Sequence, residues 1–123
     1  MTRNAVGWCE IYVQDMGRAR AFYESVFDVA LEKINDGTPE LWKFPQSMTD
    51  YGASGALARA EGMASGGNST VVYFSSEDCA VEGGRIVDAG GTVVRDKTSI
   101  GQYGFVVIAH DTEGNLFGIH SIE

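Results

Sequence analysis

A repeated order of predicted elements constrains the fold of this chain more than any other feature. Residues 6–15 are rich in Val, Ile, Trp and Tyr, as in a strand, and Asp15 then has the position of an N-cap. The helix that it opens is predicted to run to about Phe27, with an apolar stripe at helical spacing. Asn35-Asp36-Gly37 is a hairpin signal between two short strands, and a fourth strand follows. These three strands are predicted at residues 28–34, 40–44 and 55–60, which completes a β-α-β-β-β order.

The same order recurs in the second half of the chain. Asp78 stands 63 residues after Asp15, and the helix that it opens is predicted to reach about Ala89, where Gly90-Gly91 ends it. The surrounding strands are predicted at residues 69–76, 92–96, 103–109 and 116–121. The sequence therefore predicts an α+β domain over residues 1–123, built from two tandem βαβββ modules at about 4–62 and 67–123 with a Gly/Ser-rich link between them.

Composition limits the classes of partner. The 123 residues include 17 acidic and 9 basic side chains, a formal charge of −8. A protein that binds nucleic acid needs a clustered basic surface, so nucleic acid is not an expected partner. No stretch approaches the roughly 18 apolar residues of a membrane span and the N-terminus has no apolar signal segment, so no membrane contact and a cytoplasmic location are expected. Cys9 and Cys79 are predicted to be small buried hydrophobes.

Several motifs resemble one known superfamily. Trp8-Cys-Glu-Ile-Tyr-Val-Gln-Asp15 leads into Ala21-Phe22-Tyr23, and the second half carries Tyr73-Phe74, Glu77-Asp78 and Asp111-Thr-Glu-Gly-Asn115. With the doubled element order, this pattern resembles the vicinal oxygen chelate superfamily of glyoxalase I, bleomycin-resistance proteins, fosfomycin-resistance enzymes and extradiol dioxygenases. The ending from Glu113 to Ser121 resembles a glyoxalase-like subgroup. The resemblance implies a curved, cup-shaped mixed sheet with the helices on its outside.

The resemblance also implies where a divalent metal would bind, namely on the first and last strands of each module. In metal-dependent members the first ligand stands seven residues before the helix-starting Asp, and the last is a Glu four residues after the Gly of the Asp-x-x-Gly motif. Those positions are Trp8 and Val71, and Gly118 with Gly55 as its counterpart 63 residues earlier. None of the four has a side chain that could bind a metal, so no metal and no other cofactor is expected.

Strand alternation identifies other candidate residues inside the cup. Trp8, Glu10 and Tyr12 share the face of the first family ligand, as Gly118 and His120 share the face of the last. Glu10 and His120 are the candidate catalytic residues, as an acid/base pair; two ligands of an incomplete metal site, or a hydrogen-bonded pocket wall, are the alternatives. The predicted ligand-binding residues are Trp8, Tyr12, Gly55, Tyr73 and Gly118, and Ser75 shares the face of Tyr73.

Two local assignments stay open at this stage. Alternation does not decide whether Trp42 or Lys43 points into the cup. The polar segment from Lys97 to Tyr103 is predicted to form a rim or a lid.

Two functions fit these features. The first is binding of a small organic molecule in a cup lined by aromatic and a few polar groups, with the metal site lost. The alternative is a lyase or isomerase of the glyoxalase I type that uses substitute ligands or the chemistry of Glu10 and His120. A homodimer is expected from the resemblance, and the identity of the ligand is not encoded in any motif.

Overall fold

The computed structural model describes residues 4–123; residues 1–3, which the predicted domain includes, lie outside the described part. The first module contains β1 (Trp8–Tyr12), α1 (Met16–Phe27), β2 (Glu32–Lys33), β3 (Glu40–Lys43) and β4 (Ser54–Arg59). The second contains β5 (Val72–Ser75), α2 (Cys79–Gly83), β6 (Thr92–Ser99), a 3-10 turn (Gly101–Tyr103), β7 (Phe105–His110) and β8 (Leu116–Ser121).

Each module forms one four-stranded mixed sheet, in the orders β1-β4-β3-β2 and β5-β8-β7-β6. The first strand of each module pairs in parallel with the last, and the remaining pairs are antiparallel. The predicted α+β fold with two βαβββ modules is therefore confirmed. The predicted N-caps are also present, since Asp15 accepts a hydrogen bond from the Arg18 N–H and Asp78 accepts one from Ala80.

Helix α1 packs against both sheets, and its aromatic side chains form the centre of the core. The Tyr23 ring lies 5.6 Å from Phe44 of the first module, and 5.7 and 5.8 Å from Phe74 and Phe117 of the second. Tyr23 and Phe22 are fully buried. Each sheet therefore has a helix face, which enters this common core, and an open face, which is directed away from α1.

Three elements differ most from the sequence prediction. Strand β2 contains only Glu32–Lys33 of the predicted residues 28–34. Helix α2 ends at Gly83 and continues as turns to Gly90, because two adjacent glycines each cost up to about 1 kcal/mol in a helix. Gly83 also lies against Val107. A Cβ added at Gly83 would be only 3.1 Å from the Cγ2 atom of Val107. Strand β6 extends to Ser99, so the first part of the predicted rim segment belongs to the sheet. Among residues 4–123, no helix has the length and apolar character needed to cross a membrane.

Candidate functional site

The open face of the first sheet carries the side chains that alternation assigned to it. Ile11 is buried in the core, whereas Trp8 is 37% exposed and Glu10 is exposed. The Trp8 indole Nε1 donates a hydrogen bond to Glu10 Oε2 at 3.2 Å, as expected for side chains two residues apart on one face. Trp8, Glu10 and Tyr12 therefore share the open face.

Strand pairing corrects the predicted place of Gly55. In the first sheet Cys9 pairs with Gly55 and Glu10 with Ala56, whereas in the second sheet Tyr73 pairs with Gly118. Because Glu10 and Tyr73 are equivalent, the counterpart of Gly118 is Ala56, one residue beyond Gly55. Gly55 lies on the helix face, where an added Cβ would be only 2.7 Å from Cys9 Sγ. A slip of one residue reverses the face of every side chain, so the prediction that Gly55 lies in the cup is wrong.

The pairing of β3 with β4 settles which of two neighbouring residues faces the core. Trp42 pairs with Leu57, which belongs to the buried core, and Lys43 pairs with Ala56 of the open face. The Arg20 guanidinium of α1 lies 3.5 Å from the centroid of the Trp42 ring, a cation–π contact. Trp42 is therefore part of the packing between helix and sheet, and Lys43 shares the open face with Glu10.

A shallow cavity of about 380 Å³ lies on the open face of the second sheet. Tyr73, Ser75, Val106 and His120 line it from strands β5, β7 and β8, and Ile100 and Tyr51 complete its wall. We call it the open-face cavity. The ring of Tyr73 lies directly over Gly118, because the carbons Cδ2 and Cε2 of that ring occupy the space that a Gly118 side chain would need. Gly118 and His120 share this face as the alternation predicted, and the pairing of β5 with β8 brings Tyr73 beside them.

A hydrogen bond fixes which nitrogen of the His120 ring carries a proton. Its Nε2 lies 2.7 Å from the carbonyl oxygen of Tyr103. A carbonyl oxygen only accepts, so Nε2 carries a proton, and in the neutral imidazole Nδ1 is left as a hydrogen-bond acceptor. Ile100, which directly precedes the 3-10 turn that supplies this carbonyl, lines the cavity, so the predicted segment from Lys97 to Tyr103 reaches the cavity at this one residue.

Glu10 and His120 are not brought together. Glu10 is bonded to Trp8 and His120 to Tyr103, and no hydrogen bond joins the two side chains within residues 4–123. Glu10 does not line the open-face cavity. The geometry gives no acid/base pair within one chain, because the two residues lie on the open faces of different sheets.

The residues at the four expected ligand positions do not suit the divalent metal that the superfamily resemblance implies. The positions of its ligands carry Trp8, Val71, Gly118 and, by the corrected register, Ala56, and none of these side chains has an oxygen or imidazole donor. In the part of the chain from residue 4 onward, no three His, Cys, Asp or Glu side chains are clustered so that they could share an ion.

The Asp-x-x-Gly-Asn motif joins the two modules and is separate from the open-face cavity. Asp111 is 5% exposed and accepts hydrogen bonds from the Tyr23 hydroxyl at 2.7 Å and from the N–H groups of Glu113 and Asn115. The Asn115 amide donates to the carbonyl of Tyr12 at 3.0 Å. These contacts fasten the β7–β8 turn of the second module to α1 and β1 of the first, so the motif is structural here.

Glu113, inside that motif, is held as a carboxylate at the start of α1. Its side chain is fully enclosed and pairs with the Arg18 guanidinium at 2.7 Å. Burial alone would raise the pKa of the Glu113 carboxyl, but hydrogen bonds from Arg18, Asp15, Thr112 and Gln14 outweigh it and lower the pKa from 4.5 to about 2. The carboxylate is therefore charged throughout the neutral range.

A second and larger cavity, of about 600 Å³, lies between the modules. We call it the inter-module cavity. Cys9 and Gly55 line it from the helix face of the first sheet. The aromatic part of its wall is formed by Phe27, Phe44 and Phe74. It reaches around the free edge of β5, where Tyr51, Tyr73 and Ser75 line both cavities.

Sequence reasoning missed the contribution of Tyr51. This residue belongs to the stretch between β3 and β4 and is 89% exposed, yet it borders both cavities. No local pattern identifies such a residue, because its position depends on how a loop of the first module lies against a strand of the second. The one available signal is an aromatic side chain in an otherwise polar loop.

Comparison with solved structures identifies the same architecture in proteins of low sequence identity. A glyoxalase-related enzyme from Fulvimarina pelagi is 18% identical with a TM-score of 0.71, over 97% of this chain and 88% of that one. A glyoxalase/bleomycin resistance protein from Albidiferax ferrireducens T118 is 14% identical with a TM-score of 0.73, over 94% and 98%. TnmS3, an antibiotic binding protein from Streptomyces sp. CB03234, is 19% identical with a TM-score of 0.68, over 98% of both chains.

Sequence comparison gives the family directly. No curated protein matches the chain significantly. The family model described as Glyoxalase/Bleomycin resistance protein/Dioxygenase superfamily matches residues 5–119, nearly the whole chain. The chain therefore belongs to the glyoxalase/bleomycin resistance protein/dioxygenase superfamily.

Proposed function

We propose that this protein binds a small organic molecule in the open-face cavity, and that the divalent metal site of its superfamily has been lost. The observation that carries the proposal is the ring of Tyr73 lying over Gly118 beside His120. Where metal-dependent relatives have a glutamate ligand, this chain has no side chain, and an aromatic ring fills the vacated space. The same substitution thus removes a metal ligand and provides a flat apolar surface.

The chemistry of the cavity favours a planar, partly aromatic ligand. Tyr51 and Tyr73 offer ring faces, while Val106 and Ile100 are apolar. Polar groups are few, and the His120 ring is oriented by its bond to Tyr103, which leaves an acceptor for a ligand hydroxyl or N–H. Apolar walls with a few fixed polar groups are the usual design of small-molecule sites. TnmS3, which shares the fold, is described as an antibiotic binding protein, which is consistent with this class of function.

Ligand binding is tested with acridine, a fluorescent planar probe, and the Gly118→Ala variant. The added methyl group would overlap the Tyr73 ring, which is half exposed and free to move, so the ring is displaced and the fold is kept. We expect acridine to bind the wild type in a 1:1 ratio and the variant about fivefold more weakly, since an aromatic pair contributes roughly 1 kcal/mol. Gly37→Ala is the matched control, because nothing lies within 4 Å of that position. Equal binding by Gly118→Ala and the wild type would argue against the site.

Metal loss is tested by elemental analysis after purification without chelator, and by titration with Ni²⁺, Zn²⁺ and Mn²⁺. We expect no stoichiometric binding, because the family ligand positions have no donors. A stoichiometric metal would contradict the proposal. Isomerisation of the hemithioacetal of methylglyoxal and glutathione, abolished by Glu10→Gln, would instead support a glyoxalase-type enzyme.

We also propose that the protein acts as a homodimer. Both open faces are directed away from α1 and expose aromatic side chains, Trp8 at 37% and Tyr73 at 50%. A cup can enclose a ligand on both sides if the open face of one copy meets that of a second. Sedimentation equilibrium is expected to give twice the 13.2 kDa mass of one chain, and a monomer at micromolar concentration would contradict this proposal.

A further inference from the structure

We propose that the inter-module cavity is a second binding site, for an apolar aromatic molecule that carries one positively charged group. This cavity opens on the helix face of β1, the side opposite to Trp8 and Glu10, and shares only Tyr51, Tyr73 and Ser75 with the open-face cavity. Its volume of about 600 Å³ lies within the usual range for small-ligand sites. The proposal does not depend on the function proposed for the open-face cavity.

The apolar part of the specificity comes from a cluster of phenylalanine rings. Phe74 lies 4.5 Å from Phe27 and 5.5 Å from Phe44, measured between ring centroids. Val29 and Val72 add aliphatic surface to the same cavity. Aromatic rings prefer offset or edge-to-face contacts, so a bicyclic aromatic ligand would continue the packing that these rings already make.

The positive charge is inferred from Glu82. This glutamate of α2 is the only charged side chain that lines the cavity among residues 4–123. Its carboxylate accepts a hydrogen bond from the Ser76 hydroxyl, and it takes part in none of the ion pairs found in the described part of the chain. A ligand with an ammonium group at one end of its ring system would compensate the charge of Glu82.

Cys9 provides a built-in reporter for occupancy. Its thiol is partly buried in the cavity wall, whereas Cys79, the other cysteine, is fully buried at the start of α2. Burial and the neighbouring Glu10 raise the pKa of the Cys9 thiol, so we expect its alkylation by N-ethylmaleimide at pH 8 to be slower than that of an exposed thiol. A ligand in the cavity should slow it further, while Cys79 remains unmodified in the folded protein.

The experiment compares two probes with the same ring system and opposite charge, 1-naphthylmethylamine and 1-naphthoate. We expect the amine to bind in a 1:1 ratio by calorimetry, to slow Cys9 alkylation, and to bind about fivefold more tightly than the carboxylate. In Glu82→Gln this preference should fall to nearly equal binding. Val29→Phe fills the cavity and should weaken the amine at least about tenfold, whereas Val87→Phe, at a 66% exposed position outside the cavity, should not.

Further outcomes separate this proposal from the one on the open-face cavity. His120 lines only that other cavity, so His120→Ala should leave binding of the amine unchanged. Unchanged Cys9 alkylation at saturating amine, or a preference for the amine that persists in Glu82→Gln, would overturn the inter-module site. Neither result would affect acridine binding in the open-face cavity.

Discussion

Replacing Glu113 by glutamine should destabilise the protein in a manner that depends on pH. The Glu113 carboxylate accepts hydrogen bonds from the N–H groups of Gln14 and Asp15 at 3.0 and 2.9 Å, and from two nitrogens of Arg18 at 2.7 and 2.8 Å. It thereby connects the β7–β8 turn to the start of α1, where the free N–H groups of a helix favour a negative charge. Glutamine has the same shape, but it removes the charge and turns one acceptor into a donor that faces other donors.

The size of the effect follows from the pKa of Glu113. A fall in pKa from 4.5 to about 2 on folding corresponds to roughly 3 kcal/mol of stabilisation by the charged form. The Arg18 side chain is 53% exposed, so solvent weakens its share of that value. We therefore expect Glu113→Gln to lower the free energy of unfolding by about 2 kcal/mol at pH 7.

The pH dependence provides a sharper test than the magnitude. A carboxyl group whose pKa is lower in the folded state contributes stability above its unfolded pKa and loses it as the pH falls towards the folded pKa. The difference in the free energy of unfolding between the wild type and Glu113→Gln should thus be constant from pH 7 to about pH 5.5. It should shrink between about pH 4.5 and pH 2. Urea denaturation followed by the fluorescence of Trp8 and Trp42 measures it.

Glu61→Gln serves as the control, because Glu61 is exposed and forms none of the hydrogen bonds or ion pairs found in residues 4–123. It should change the free energy of unfolding by less than about 0.5 kcal/mol at every pH. A Glu113→Gln difference that is the same at pH 7 and pH 3 would refute the reasoning, because it would assign the loss to packing and not to charge.

Three further substitutions test other parts of the structure by urea denaturation. Tyr23→Phe should cost about 1–2 kcal/mol, because it removes a buried donor to the Asp111 carboxylate; no loss would mean that this bond is not formed. Gly55→Ala should cost about 1–3 kcal/mol, since the methyl group would overlap the Cys9 backbone carbonyl, and the added Cys9→Ala substitution should not rescue it. Asp28→Gly should raise stability by about 0.5–1 kcal/mol, because Asp28 ends α1 with a left-handed φ of 53°; a decrease would indicate an unrecognised role for its side chain.

The Asp-x-x-Gly-Asn motif, which carries much of the family resemblance, does not line the cavity for which ligand binding is proposed. The residues from Asp111 to Asn115 connect the modules, and their polar atoms are used in hydrogen bonds to Tyr23, Tyr12 and the start of α1. The residues that line the open-face cavity come instead from the open faces of β5, β7 and β8 and from two loops. The sequence therefore identifies the fold more clearly than the binding or catalytic chemistry. This is expected when function depends on particular side chains placed on a shared fold.

The sequence by itself determined the features that depend on local patterns. The doubled βαβββ order, the N-caps at Asp15 and Asp78, and the shared face of Trp8 and Glu10 follow from spacing within a few residues, and the structure has them all. The shared face of Gly118 and His120 also follows, because β8 alternates with period two, whereas the position of Tyr73 beside them depends on the pairing of β5 with β8.

Only the tertiary structure decided the features that depend on how distant segments meet. The register of β1 on β4 puts Ala56, not Gly55, opposite Glu10, and no local pattern contains that information. The separation of Glu10 from His120 follows from their places on the open faces of two different sheets, and the position of Tyr51 from a loop that reaches the other module. The physical reason is the same in each case: alternation assigns side chains to one of two faces of a strand, but pairing and packing between segments far apart in the chain decide which faces meet.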